Sequence, residues 1–292
     1  MKNIINSPIE QITFNNKSFL IKRDDLLHPS FSGNKARKFY YFFKNDFPDV
    51  TTLISHGSNQ SNAMYSLSVL AKLKGWRFIY YTNHIASFLE SKPQGNYKYA
   101  LENGMELIVG EYEFNNIKSD INTNLYIDEG GAIVEASYGL ELLANEITQY
   151  KVENNIDNLK VFLPSGTGTT ALFLQKFLDI EVLTCPCVGD DLYLKKQFLE
   201  LESDESIHPT IIKPYKKYHF GKLYRENYEI YLELLKETNI EFDLLYDPIA
   251  WNTLLDMYKN DDATILYIHQ GGLIGNETMI ERYRYKYSDL NK

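Results

Sequence analysis

Cysteine is nearly absent. The two residues present, Cys185 and Cys187, lie in Thr184-Cys185-Pro186-Cys187-Val188. A single intervening residue suits neither a redox Cys-x-x-Cys nor a common zinc knuckle. The pair follows the apolar Ile180 to Leu183 and is read as strand-end thiols, with no metal expected. Long apolar runs are missing too. Nothing approaches the roughly 18 residues of a membrane span, so none is expected. Positive charge is in deficit, with 30 Lys and Arg against 39 Asp and Glu, a net charge of −9 and a pI near 5.3. That balance argues against non-specific nucleic-acid binding and leaves room for a local basic pocket for a small anion. The opening Met1 to Pro8 lacks the apolar core of a signal peptide, so a cytoplasmic location is expected. There is no fixed-period repeat and no low-complexity linker.

What is present is ordinary for a globular protein: 44% hydrophobic and 24% charged residues. The 292 residues can hold one large domain or two medium ones. The 23 tyrosines and 16 phenylalanines are expected to pack in the core or at an interface. Strand-like runs alternate with helical patterns. Ser18 to Lys22, Thr51 to Ser55, Arg77 to Tyr81, Leu159 to Leu163, Ile180 to Leu183 and Thr264 to Ile268 read as strands. Asn59 to Lys74 contains a helix, a second ends at Gly104 as a C-cap, and Thr170 to Leu178 and Lys222 to Lys236 read as two more. Glu200 to Glu205 reads as an exposed acidic loop. This alternation predicts an α/β protein with mainly parallel sheets flanked by helices.

Two segments carry chemistry on their own residues. In Ser32-Gly33-Asn34-Lys35-Ala36-Arg37-Lys38, a Gly-Asn turn can start a helix whose first residues project into a cleft. Lys35 then stands where a Schiff-base lysine would be placed. The same pattern also reads as a plain helix start with solvated basic residues. In Ser165-Gly166-Thr167-Gly168-Thr169-Thr170, glycines let backbone N–H groups close on an anion. The hydroxyls add donors, and the following helix start is electropositive. This suits a phosphate, although a strand-helix turn alone would look alike. It is not a nucleotide P-loop, because Gly-Lys-Ser/Thr is missing, and it departs from Gly-x-Gly-x-x-Gly.

Four segments occurring in order resemble the pyridoxal-phosphate enzymes of the 1-aminocyclopropane-1-carboxylate deaminase and D-cysteine desulfhydrase family, which have fold type II. They are Ile21 to Lys38, His56 to Asn62, Pro164 to Ala171 and Ile268 to Gly275, and the resemblance covers nearly the whole chain. It implies two domains with the cofactor in the cleft between them, the smaller spanning 46–139 and the larger joining 1–45 to 140–292. Lys35 is the implied cofactor lysine and base. Lys38 is placed at the phosphate or the substrate carboxylate, whereas Arg37 reads equally as a solvated residue. Ser61 matches a serine over the substrate, with helix capping as its plain alternative. Asn62 matches an asparagine on the cofactor's ring hydroxyl. Ser165, Gly166, Thr167, Gly168 and Thr169 would hold the phosphate, and Gly271 would let backbone approach the ring. Asp128 to Gly131 reads first as a turn. His56 can be a strand-end residue only, and His269 reads as a packed histidine rather than a base. Relatives imply a homodimer.

Two departures matter. Ala63 replaces a glutamine of the deaminase pattern. In Asp247-Pro248-Ile249-Ala250-Trp251-Asn252 the deaminases' tyrosine matches Ala250, and the glutamate that keeps the pyridine nitrogen protonated matches Trp251. The loss argues against cyclopropane opening. Trp251 is left either stacking near the pocket or marking a local slip of the match. The leading expectation is therefore β-elimination from D-cysteine or a similar D-amino acid, giving a 2-oxo acid and ammonia. Ring opening, a degenerate cofactor binder, and a nucleotide-binding protein without pyridoxal phosphate are the alternatives.

Overall fold

A computed structural model describes residues 5–119, 121–258 and 262–291. The segment Met1 to Ile4, on which the leader reading partly rests, lies outside them. The order along the chain is β1 (Ile9–Phe14), β2 (Lys17–Arg23), α1 (Gly33–Lys44), β3 (Thr52–His56), α2 (Asn62–Lys74), β4 (Arg77–Thr82), the short α3 (Ser87–Ser91), α4 (Gly95–Glu102), β5 (Met105–Val109), α5 (Phe114–Ile117) and β6 (Asn124–Ile127). There follow α6 (Ala136–Glu153), β7 (Leu159–Ser165), α7 (Thr169–Phe177), β8 (Val182–Pro186), α8 (Asp191–Leu201), β9 (Thr210–Ile211), α9 (Arg225–Thr238), α10 (Asp247–Met257), β10 (Thr264–His269) and α11 (Asn276–Lys286).

The strands form two sheets. The smaller has the order β5-β4-β3-β6 and is parallel throughout. The larger has the order β1-β2-β10-β7-β8-β9, parallel except for the β1–β2 hairpin. Asn15 and Asn16 make that hairpin's turn at φ 50 and 57, the left-handed region that asparagine tolerates best after glycine. The central parallel strands of the larger sheet, β7, β8 and β10, are buried on both faces. Val161, Phe162 and Leu163 of β7 and Ile265, Leu266 and Tyr267 of β10 are all fully covered, which is why they read as unbroken apolar runs. Phe39, Tyr40, Phe42 and Phe43 of α1 join the apolar cluster of the smaller sheet, with Leu53, Leu67 and Ile127.

Parallel topology sends all the strands of a sheet out at the same edge. The loops after β3, β6, β7 and β10 leave from carboxyl ends, where open α/β sheets place their ligands. These loops and the start of α1 border one cavity of about 640 Å³.

Candidate active site

Lys35 reaches the cavity because the start of α1 is held against the strand ends. Gly33 takes φ +68, and a Cβ there would sit 2.0 Å from the Gln270 carbonyl oxygen, so only glycine allows the approach. The Asn34 N–H donates to that oxygen at 3.0 Å, and its amide donates to the Gln270 side chain at 2.9 Å. Gln270 in turn donates to the Pro164 carbonyl at 2.6 Å, joining the ends of β7 and β10. Behind the helix, Arg37 is buried between Asp24 at 2.8 Å and Glu146 at 2.7 Å, and Lys22 meets Glu146 at 2.7 Å. The reading of Arg37 as solvated is therefore corrected. It anchors α1 through a buried ionic network, which hydrophobic periodicity does not reveal.

One turn apart on the same helix face, Lys35 and Lys38 converge. Their ammonium nitrogens donate to the Gly130 carbonyl at 2.8 and 3.2 Å, and Lys38 also lies 3.5 Å from Thr167 Oγ1. Burial lowers Lys35 to about 8. Burial and the neighbouring Lys35 together hold Lys38 well below the ordinary lysine range. Two crowded, poorly hydrated amines are a site that gains from an anion.

Facing them is the loop after β7. Gly168 adopts φ +73, and α7 starts at Thr169 with its first N–H groups free of helical partners. Thr167 and Thr169 hydroxyls lie 3.1 Å apart. Thr170 Oγ1 is buried and has no hydrogen-bond partner among the described residues. Ser165 is bonded through its hydroxyl to Thr184 at 2.6 Å, so it can offer the cavity only its backbone. Amide donors, hydroxyls and a lysine around one orphaned hydroxyl fit a phosphate monoester. The sequence does not single out Thr170 as a ligand; its burial at the start of α7 is what reveals it.

Glycines of the turn after β10 lie beside Asn62 at the start of α2. Gly271 and Gly272 take φ +70 and +86, and a Cβ at Gly272 would come within 2.6 Å of Asn62 Nδ2. Without side chains, these glycines let a ligand approach the backbone closely. Asn62 is oriented by Asn96, whose amide donates to its Oδ1 at 2.7 Å. Ser61 caps α2, its Oγ accepting from the N–H groups of Ala63 and Met64 at 3.1 and 3.5 Å, which leaves its O–H to donate. Lys35, Lys38, Ser61, Asn62, Ser165 to Thr169 and Gly271 all border the same cavity, as does Glu129 of the turn after β6.

The histidines stand apart from it. His269 is fully buried, bonded to the Glu241 carbonyl at 2.7 Å and accepting from Gly271 N–H at 3.2 Å, and burial lowers its pKa. His56 stacks on Phe114 at 3.9 Å. Cys185 and Cys187 are buried free thiols. No group of three His, Cys, Asp or Glu side chains suited to a metal occurs among the described residues.

No protein-family profile matches the chain. In sequence it is 22% identical to a Thermotoga maritima protein with the provisional name 1-aminocyclopropane-1-carboxylate deaminase, over 87% of this chain and 88% of that one. It is 24% identical to a D-cysteine desulfhydrase of Serratia proteamaculans, over 91% of each. In structure it superposes on a crystal structure described as an ACC deaminase homologue with a TM-score of 0.80 and 20% identity, over 96% of this chain and 94% of that chain. The chain is a distant relative of the 1-aminocyclopropane-1-carboxylate deaminases and D-cysteine desulfhydrases. It has the fold of type II pyridoxal-phosphate enzymes.

The segment in which the sequence reading placed its departure, Asp247 to Asn252, lies in α10. Trp251 does not stack near the pocket. It is fully buried beneath the larger sheet, parallel to Tyr267 at 4.5 Å and edge-on to Phe14, Phe19 and Phe242. The cavity side is supplied instead by Asp243, Leu245, Tyr246 and Asp247. Of these, the sequence marks Asp247 only as part of the departing segment, and it does not single out the other three.

Proposed function

We propose that this protein is a pyridoxal-phosphate-dependent lyase acting on a small amino acid, with β-elimination from D-cysteine or a similar D-amino acid as its reaction. The observation that carries the reading is the convergence of half-buried Lys35 and buried Lys38 with the Gly/Thr loop on one cavity. The loop from Gly166 to Thr170, with Lys38, would hold the cofactor's phosphate. Asn62 would meet its ring hydroxyl, Gly271 and Gly272 would flank its ring, and Lys35 would carry it. When bound, pyridoxal phosphate draws electrons from the substrate's Cα so that the Cα–H bond ionises and a β-substituent can leave.

The rest falls to the protein. Lys35, half-neutral near pH 8, takes the Cα proton as its free amine. The Ser61 O–H and the start of α2 bind the substrate carboxylate, and the cavity walls limit water. With D-cysteine, water is consumed, and pyruvate, ammonia and hydrogen sulfide are formed. The alternative within the family, opening of 1-aminocyclopropane-1-carboxylate, is favoured by the named Thermotoga relative and disfavoured by Ala250 and Trp251.

The purified protein with pyridoxal phosphate should show a visible absorbance band. That band should shift with one of D-cysteine, L-cysteine, D-serine or 1-aminocyclopropane-1-carboxylate, with 2-oxo acid formed. Lys35→Ala should remove both band and product. Turnover retained by that variant rejects the lysine assignment.

We further propose the division 1–45 plus 140–292 and 46–139. The existence of two sheets supports it, and α1 would be the segment that ties the two parts together. A cytoplasmic homodimer rests on the resemblance alone, and light scattering decides the dimer.

A further inference from the structure

The starting point is one oxygen atom. Asp243 is 2% exposed, and its Oδ2 has no hydrogen-bond partner among the described residues although it borders the cavity. Its other oxygen is fully occupied, accepting the N–H groups of Leu245 at 2.8 Å and Tyr246 at 2.6 Å, so the carboxylate cannot rotate away without losing both. A buried carboxylate oxygen without a donor is costly, so such an atom on a residue that borders a binding cavity calls for a ligand N–H.

Its position says which end of a ligand would meet it. A Cβ on Gly272 would lie 2.6 Å from Asn62 Nδ2 and 3.5 Å from Asp243 Oδ2, so the amide and the carboxylate lie close together beside Gly272, and both residues border the cavity. Lys38, Thr167 and Thr170 make up the anion-binding end. A phosphate, a ring hydroxyl and a ring nitrogen would be met in turn by that end, by Asn62 and by Asp243. Neither residue at the family's usual place can serve. Ala250 has no polar atom, and Trp251 offers only an N–H, which lies in the core.

We propose that Asp243 is the partner of the cofactor's pyridine nitrogen in this protein, replacing a residue lost from α10. The inference rests on the proposed pyridoxal-phosphate function and deepens it. Burial pushes Asp243 up to about 7, and burial and Asp243 together push the adjacent Asp247 well above the carboxylate range. Asp247 accepts from the Tyr267 hydroxyl at 2.6 Å and from the Asp243 N–H at 2.9 Å, so its oxygens are engaged within the protein and Asp243 Oδ2 is the carboxylate oxygen of the two residues left for a ligand. A protonated ring nitrogen makes the cofactor the stronger electron sink, the role the family gives to the glutamate that Trp251 replaces, while Ala250 still disfavours cyclopropane opening.

The test compares pyridoxal phosphate with its 1-deaza analogue, in which C–H replaces the ring nitrogen. Dissociation constants are measured for the wild type, Asp243→Ala and Asp243→Val, whose side chains have no polar atom to bond the ring nitrogen. The wild type should prefer the natural cofactor by roughly 10- to 100-fold, as for a hydrogen bond to a charged group, and both variants should lose most of that preference. An undiminished preference in folded variants overturns the proposal. The ¹⁵N resonance of ring-labelled cofactor on the wild type, with no substrate present, needs no variant. It should lie in the pyridinium range, and an unprotonated shift overturns the proposal. Variants that alter only the KM of the amino acid would assign Asp243 to the substrate ammonium and refute it. A wild type that binds neither cofactor refutes the function itself, a separate failure.

Discussion

Lys35 should titrate near pH 8, and the consequence is measurable in the cofactor-free protein. The ordinary value is 10.5, and burial lowers it to about 8. At pH 7 an ordinary lysine is neutral in roughly 0.03% of molecules, and one at 8 in roughly 10%, a gain of about 300-fold in the nucleophilic form. The folded state holds this proton less tightly than the unfolded chain does. The buried charge therefore destabilises the fold fully below about pH 8, and the penalty fades as pH rises toward 10.5. The shift corresponds to a ceiling of about 3 kcal/mol. Lys35→Met should thus stabilise the cofactor-free protein at neutral pH, with the gain vanishing above the ordinary lysine value, while abolishing function. Competitive labelling with limiting acetic anhydride across roughly pH 6 to 11, read by peptide mass spectrometry, gives the midpoint of Lys35 beside those of exposed lysines. A midpoint of 10 or above, or a methionine variant less stable at neutral pH, would refute the argument.

Glu146→Gln removes the carboxylate shared by Lys22 and Arg37, and the fold should lose about 3 kcal/mol in urea unfolding. Although burial alone would raise Glu146, Arg37 and Lys22 hold it below its ordinary value. Its contribution is present above that value and is lost as pH falls through the folded one, so the wild-type and variant curves should converge in acid. Thr170→Val keeps the shape and removes the orphaned hydroxyl. Stability should hold while affinity for pyridoxal phosphate falls roughly 10-fold or more, and unchanged affinity in an equilibrium titration rejects the phosphate cradle. Gly33→Ala drives a Cβ into the Gln270 carbonyl at positive φ. It should cost about 2 kcal/mol and move the Lys35 midpoint back toward 10.5; an unmoved midpoint would show that this turn does not position the lysine.

How far the sequence could be read depends on the range of the signal. Strands β3, β7 and β10 are legible because burial on both faces leaves an apolar run, whereas β4 alternates buried Phe78, Tyr80 and Thr82 with half-buried Ile79 and Tyr81. The strand at Ile180 to Leu183 is shifted to Val182–Pro186, since a proline can end a strand where the next ladder bond is not needed. Strand β1 is hard to read because only Gln11 to Phe14 alternates and the segment is half-exposed, although an Asn-Asn turn follows. The Gly-Asn-Lys turn and the Gly/Thr loop were readable because backbone demand selects glycine. Arg37 was ambiguous because nothing nearby in sequence names Glu146 as its partner, and Asp243 and Tyr246 were invisible because their burial depends on α10 meeting the ends of β7 and β10.

That last point bears on what the departures at Ala250 and Trp251 mean. A helix position in a cavity wall has two requirements, a group facing the ligand and a group filling the core, and one residue cannot meet both. Trp251 meets the second, with three edge-on aromatic neighbours and one stacked. A glutamate there would leave an unpaired carboxylate among Phe14, Phe19 and Phe242, at a cost of several kcal/mol. Installing it by Trp251→Glu should therefore unfold the protein rather than create a deaminase. If ring-opening chemistry is to be gained or lost by a single substitution, the geometry puts that substitution at Asp243 or Tyr246, which already border the cavity. A folded, active Trp251→Glu protein would show that α10 can turn its core face to the ligand and would undo this division of labour.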